Sequence, residues 1–197
     1  MYSLRPIVCS LAIILLSGAV LAQRPGPQFR RPPSCEPLEP RTKLEEFDRK
    51  YATVLLKGFT QVATLNARDG DIRVDAMELR DVNNSARAIG LTISLRTNGE
   101  RIQENRSFID YEEISSLVKG IDAIAGANET MTKLVSFEAR YRTFGDLEIS
   151  VFRQSRSGSA VSITSGVCDA VTLNLTLDEL SKLRAVILEA KSKLDEI

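Results

Sequence analysis

Residues 108–121, FIDYEEISSLVKGI, and residues 173–187, LNLTLDELSKLRAVI, say nearly the same thing 66 positions apart. In register, Tyr111-Glu112-Glu113-Ile114-Ser115 stands over Leu177-Asp178-Glu179-Leu180-Ser181, and Leu117 and Ile121 stand over Leu183 and Ile187. Each copy opens on a residue suited to capping, Asp110 or Thr176, with a glutamate three places on, Glu113 or Glu179. Such a glutamate can return a hydrogen bond to the amide of the cap, completing a capping box. Each copy also has an apolar pair placed to staple the helix start, Ile109 with Ile114 and Leu175 with Leu180. Caps and staples are common singly. Their coincidence at one offset predicts an internal duplication, with helices beginning near Tyr111 and at Leu177.

What precedes each helix supports this. Asp69-Gly70 leads into DIRVDAMEL, Asn83-Asn84-Ser85 into ARAIGLTISLR, and Asn98-Gly99 into ERIQENRSFI. Dipeptides such as Asp-Gly and Asn-Gly suit the positive φ angles of tight hairpins. Ile89, Leu91, Ile93 and Leu95 alternate with Gly90, Thr92, Ser94 and Arg96, which marks one buried face. A strand is also expected from about residue 53, after a short helix opened by Thr42-Lys43-Leu44-Glu45. The second half repeats the plan: KLVSFEARYRT turns at Phe144-Gly145-Asp146 into LEISVFRQ, the SRSGS loop leads to AVSITSG, and AVTLNLTL completes the set.

The expected fold is therefore α+β: two ββββα units, at about 53–126 and 132–195, with antiparallel sheets each covered by a helix and a pseudo-two-fold between them. Both belong to one globular domain, 42–197. This order resembles that of the Whirly and PUR-type single-strand nucleic-acid-binding proteins. The resemblance is one of architecture: the Whirly Lys-Gly-Lys-Ala-Ala-Leu stretch has its nearest counterpart in Lys57-Gly58-Phe59-Thr60, which does not match it. It implies curved sheets able to present a binding surface, and single-stranded nucleic acid or another polyanion as the ligand.

Ahead of the domain, residues 1–22 read as a secretory signal: Arg5 in a short n-region, an apolar run from Ile7, and a small residue, Ala22, at the cleavage position. The run is shorter than the roughly 20 residues that span a bilayer. Residues 23–41 read as a Pro/Arg-rich linker, since six of the seven prolines lie between 25 and 40. Secretion or periplasmic export is expected. With the leader gone, Cys35 and Cys168 remain; they either pair across more than 130 residues or stay as thiols. Four of the seven asparagines, Asn83, Asn105, Asn128 and Asn174, begin Asn-X-Ser/Thr sequons.

Composition narrows the chemistry. The chain has 26 basic and 26 acidic side chains, hence no global pull toward nucleic acid or anionic membranes. It has no histidine, which removes imidazole bases, Ser-His and Cys-His pairs, and His-based metal sites. The acidic stretch RDGDIRVDAMELRD fails as a calcium loop, because the sixth position counted from Asp69 is Val74 rather than glycine. No catalytic residue, metal or cofactor is assigned. A carboxylate-pair enzyme ranks third among the readings, after a non-catalytic binding domain and a single-strand nucleic-acid or polyanion binder. The expected partner is an unknown envelope or extracellular molecule, with self-pairing a further option. For a ligand surface, the alternation of the second repeat turns Arg140, Arg142 and Phe152 outward, with Arg153 and Arg156 at the adjoining turn; cations around a ring suit a planar anion.

Overall fold

A computed structural model describes residues 39–153 and 159–197. The expected leader, most of the linker, Cys35 and Arg156 lie outside the described residues. Helix α1 (Lys43–Asp48) comes first, then strands β1 (Leu55–Ala67), β2 (Gly70–Asp81), β3 (Arg87–Thr97) and β4 (Glu104–Asp110), and helix α2 (Tyr111–Ala125). A 3-10 turn at Glu129–Met131 leads to β5 (Phe137–Arg142), β6 (Leu147–Arg153), β7 (Ser159–Ser165), β8 (Val171–Leu175) and α3 (Leu177–Asp195). Both sheets are antiparallel meanders, ordered β1-β2-β3-β4 and β5-β6-β7-β8. The fold is α+β, a duplicated ββββα arrangement, and both helices begin at the residues where the two copies align.

One core serves both copies. Ile72, Val74, Leu91, Ile93, Leu95 and Ile109 of the first sheet join Leu147, Ile149, Ile163, Val171 and Leu173 of the second, with Ile114, Leu117, Ile121, Leu180, Leu183 and Ile187 from the helices. The paired registers Val74↔Ile93 and Ile72↔Leu95, then Ile149↔Ile163 and Ile163↔Leu173, keep these side chains on one face of each sheet. Helix α3 lies against β1, β2 and β3 of the first sheet, while α2 touches β3 and β4 and also β5 and β6. The helices run antiparallel: Tyr111 at the start of α2 bonds Asp195 at the end of α3, and Asp122 pairs with Arg184. Between the sheets, Ser107 and Ser165 share a buried 2.8 Å hydrogen bond.

The outer face of the first sheet carries a second, smaller cluster. Leu44 of α1 sits among Met77, Leu79 and Ala88, with Phe47 and Phe108 alongside. Helix α1 thereby covers the face that α3 does not.

Several local expectations are corrected. The Asp69-Gly70 hairpin needs no positive φ; among the described residues, those with positive φ are Ala52, Ser85, Asp146, Asp169 and Gly166. Gly70 is instead a point of close approach, where a Cβ would come within 2.0 Å of the Arg96 carbonyl oxygen. Asn98-Gly99, by contrast, does not close a tight hairpin, since β3 ends at Thr97 and β4 begins at Glu104. Asn98 donates its backbone N–H to Asp69 O, which ties that loop to the neighbouring turn, while Thr97 and Gln103 bond each other across its base. Strand β5 starts at Phe137, four residues later than the lysine that opens KLVSFEARYRT.

Candidate ligand-binding site

The two helix starts that look alike in sequence are held differently. At α3 the capping box is complete: Glu179 N–H donates to Thr176 Oγ1 at 3.1 Å, and Thr176 N–H donates to Glu179 Oε2 at 2.7 Å. The same box closes α1 through Thr42 and Glu45. At α2 it is absent, contrary to expectation, and Asp110 makes no side-chain cap bond. Its carboxylate turns away and accepts the first amides of α1, Lys43 N–H at 2.8 Å and Leu44 N–H at 3.1 Å. Glu113 turns the other way, accepting Phe144 N–H at 2.8 Å on Oε1. The aligned pair has become a two-way clamp, to α1 on one side and the β5–β6 turn on the other.

That turn reaches α2 because of Gly145. A Cβ there would meet the carbonyl oxygen of Phe108 at 1.9 Å, so only glycine lets the turn press against β4. Gly120 does the same within α2, since a Cβ would lie 2.5 Å from the Tyr141 ring. The ring can therefore lie across the helix.

Between these pieces opens a cavity of about 570 Å³, lined by Lys43, Asp110, Glu112, Glu113, Ser116, Tyr141, Arg142, Thr143 and Phe144. Its volume lies within the range typical of small-molecule sites. Glu113 is 9% exposed, and its Oε2 is buried with no hydrogen-bond partner. An ionised carboxylate offers about four acceptor positions; this one fills a single position with a protein donor. Burial pushes the Glu113 carboxyl above the ordinary glutamate range; the Phe144 amide pulls the other way, and nearby Asp110 adds to the rise. Tyr141 is raised as well, by burial and then by Glu113.

The two cations at the cavity are already engaged. Lys43 Nζ lies 2.5 Å from Glu112 Oε1, an exposed pair that raises the lysine and lowers the glutamate. Arg142 grips Glu148 through Nε and Nη2, at 2.9 and 2.6 Å. Of the buried side-chain polar atoms lining the cavity, Glu113 Oε2 alone has no hydrogen-bond partner, and Phe144 stands 69% exposed at the mouth.

Of the residues expected to form a binding surface, Arg140, Arg142 and Phe152 do share one face, as the registers Arg140↔Ser150, Arg142↔Glu148 and Glu138↔Phe152 require. Glu148 also stands 3.8 Å from Arg140, so one carboxylate serves both arginines. Phe152 is half-buried. Arg153, next along β6, leaves on the opposite face, across from Phe137. Cys168 is disulfide-bonded to a partner outside the described residues. Sequence reasoning had named Glu113 only as a cap. The signal that could have singled it out is the substitution within the repeat: a carboxylate, Asp110, where the other copy has a hydroxyl, so that the cap and the residue three places on are both acids.

A second surface feature lies at the sheet edge. Tyr51, Val54, Leu56, Phe59 and Val82 are all more than half exposed, around the start of β1. Val82 N–H donates to Val54 O, which holds the loops together there. Among the described residues β1 has a strand neighbour on one side only, β2.

Among the described residues no group of three or more His, Cys, Asp or Glu is placed to hold a metal ion, and no helix is long and apolar enough to cross a membrane. No protein-family model, no curated protein and no solved structure matches the chain.

Proposed function

We propose that this chain is a secreted or periplasmic, non-catalytic binding domain whose ligand sits in the cavity between α1, α2 and the β5–β6 turn. One observation carries the reading: the helix-start glutamate of the first copy is withdrawn from capping and left, buried and undercoordinated, on the wall of a small-molecule-sized cavity. Natural folds depart from a local rule chiefly at functional or strained sites, and here the other copy shows the rule being obeyed. A lone buried carboxylate with no second free acid beside it supports recognition more than turnover, because Asp110 is committed to α1 and Glu112 to Lys43. Export rests on the leader, and the test of it is the intact mass of the protein recovered outside the cytoplasm, expected to begin at Gln23.

Ser116→Trp tests the cavity. Ser116 is exposed at its edge, so the indole can cover the opening without entering the core. Chemical-shift mapping with a panel of small molecules should place binders at Tyr141, Thr143 and Phe144 in the wild type and show none in the variant. Binders that map elsewhere, or persist in the variant, would remove this site.

A second reading, self-pairing through β1, is favoured by the exposed apolar group at that edge. Its single charge, Lys57, is 3.2 Å from Asp48, so little electrostatic repulsion opposes a second edge. Sedimentation velocity at rising concentration, with Phe59→Lys as the control, decides it. The polyanion reading along Arg140, Arg142 and Phe152 has less support, given that Glu148 neutralises part of that face.

A further inference from the structure

We infer that the cavity's ligand is a small organic cation, a primary ammonium group on an apolar body, with Glu113 as its counter-ion; this rests on the binding reading above. The lining carries three carboxylates, Asp110, Glu112 and Glu113, against two cations, Lys43 and Arg142. Arg142 is further neutralised by Glu148 from outside the cavity. The balance is negative, which disfavours an anionic ligand. Asp110 holds two backbone amides and Glu112 holds Lys43. Glu113 is the one lining residue with a buried, unpartnered oxygen, carrying a single N–H on its other oxygen and having nine-tenths of its surface buried.

An ammonium group supplies what is missing there. It has three donors and a full positive charge, and a charge-assisted bond is shorter and stronger than a neutral one. The walls fit the rest of such a molecule. Tyr141 and Phe144 offer aromatic faces, which attract a cation and also bury an apolar chain. A neutral alcohol of the same shape would gain the apolar contact and lose the ion pair. A carboxylate would meet Glu113 and Asp110 with like charge. Bringing the ammonium to Glu113 requires the β5–β6 turn, carrying Phe144, to yield slightly, because Oε2 is closed to solvent.

The experiment titrates the full chain with hexylammonium and phenethylammonium, and with their neutral counterparts hexanol and 2-phenylethanol, at low salt and neutral pH. Glu113→Gln is run beside the wild type, since glutamine keeps an oxygen for Phe144 N–H and carries no charge. The expected result is saturable binding of both amines, about tenfold or more tighter than the alcohols, with the preference abolished in Glu113→Gln. Equal binding of amine and alcohol, or an unchanged preference in the variant, overturns the cation assignment while leaving the cavity as the site. If neither class binds, or if shifts fall away from Tyr141 and Phe144, the cavity reading falls with it. Should Glu113→Gln fail to fold, Phe144→Ala replaces it: truncating an exposed ring should weaken both classes together, and an unchanged affinity overturns the assignment.

Discussion

At the residue scale, the two aligned acid positions behave as opposites. Glu179 and Thr176 satisfy each other, whereas Glu113 and Asp110 each serve another element. Thr176→Ala should therefore cost about 1 kcal/mol, the usual value of a lost N-cap, read as a lower denaturant midpoint. Asp110→Ala should act elsewhere. Faster hydrogen exchange is expected at the Lys43 and Leu44 amides, not in the first turn of α2; the reverse pattern would refute the clamp. Glu113 supplies a pH test. Its folded-state pKa is raised, so the fold keeps this proton where the unfolded chain has lost it. The contribution is fully present below the unfolded glutamate value of about 4.3, and is lost as pH rises through the folded value. Asp110 and Tyr141 face it as acids, with Lys43 and Arg142 the cations across the cavity. Glu113→Gln cannot ionise. Its stability relative to wild type should rise from about pH 4 upward and then level off. A difference that stays flat with pH would mean the carboxyl is not held up by burial.

At the element scale, α1 is six residues long and would not persist alone. It is held by Leu44, fully buried against Met77, Leu79 and Ala88, and by the two amides on Asp110. Leu44→Ala should cost about 2–4 kcal/mol; a midpoint within error of wild type would show that α1 is not docked. The β5–β6 turn depends in the same way on Gly145. An added methyl must displace the backbone of β4, so Gly145→Ala should destabilise by about 1–3 kcal/mol, with chemical-shift changes at Phe108 and at the Phe144 amide. Both elements border the cavity, so each variant should also weaken ligand binding.

At the scale of the whole molecule, neither repeat has a core of its own. Helix α3 follows the second sheet yet packs on the first, and α2 contacts both. The main cluster of buried residues draws on both copies. Thermal unfolding should thus be a single cooperative transition, with calorimetric and van't Hoff enthalpies in agreement. A fragment spanning residues 53–126 should not fold, because it would expose Ile72, Val74 and Ala76 where α3 belongs. A dispersed amide spectrum from that fragment would refute the shared core.

The sequence by itself determined the order of elements, their count, and the start of both long helices. Those are set by local information: period-2 alternation along Ile89–Leu95 and Val171–Leu175, turn residues between strands, and caps within three residues of one another. It could not determine where the side chains at the helix starts go, since Glu113 and Glu179 obey the same local rule and differ in what approaches them. Lys43 is 67 residues from Asp110 in the chain, and Phe144 is 31 from Glu113. Only tertiary packing brings those amides within reach, and the better hydrogen bond wins. The same packing explains Gly70 and Gly145, which read as turn glycines and serve as contact points. The cavity is likewise a product of assembly, bounded by three elements that are separate in sequence. Its chemistry follows from a burial that no local pattern encodes.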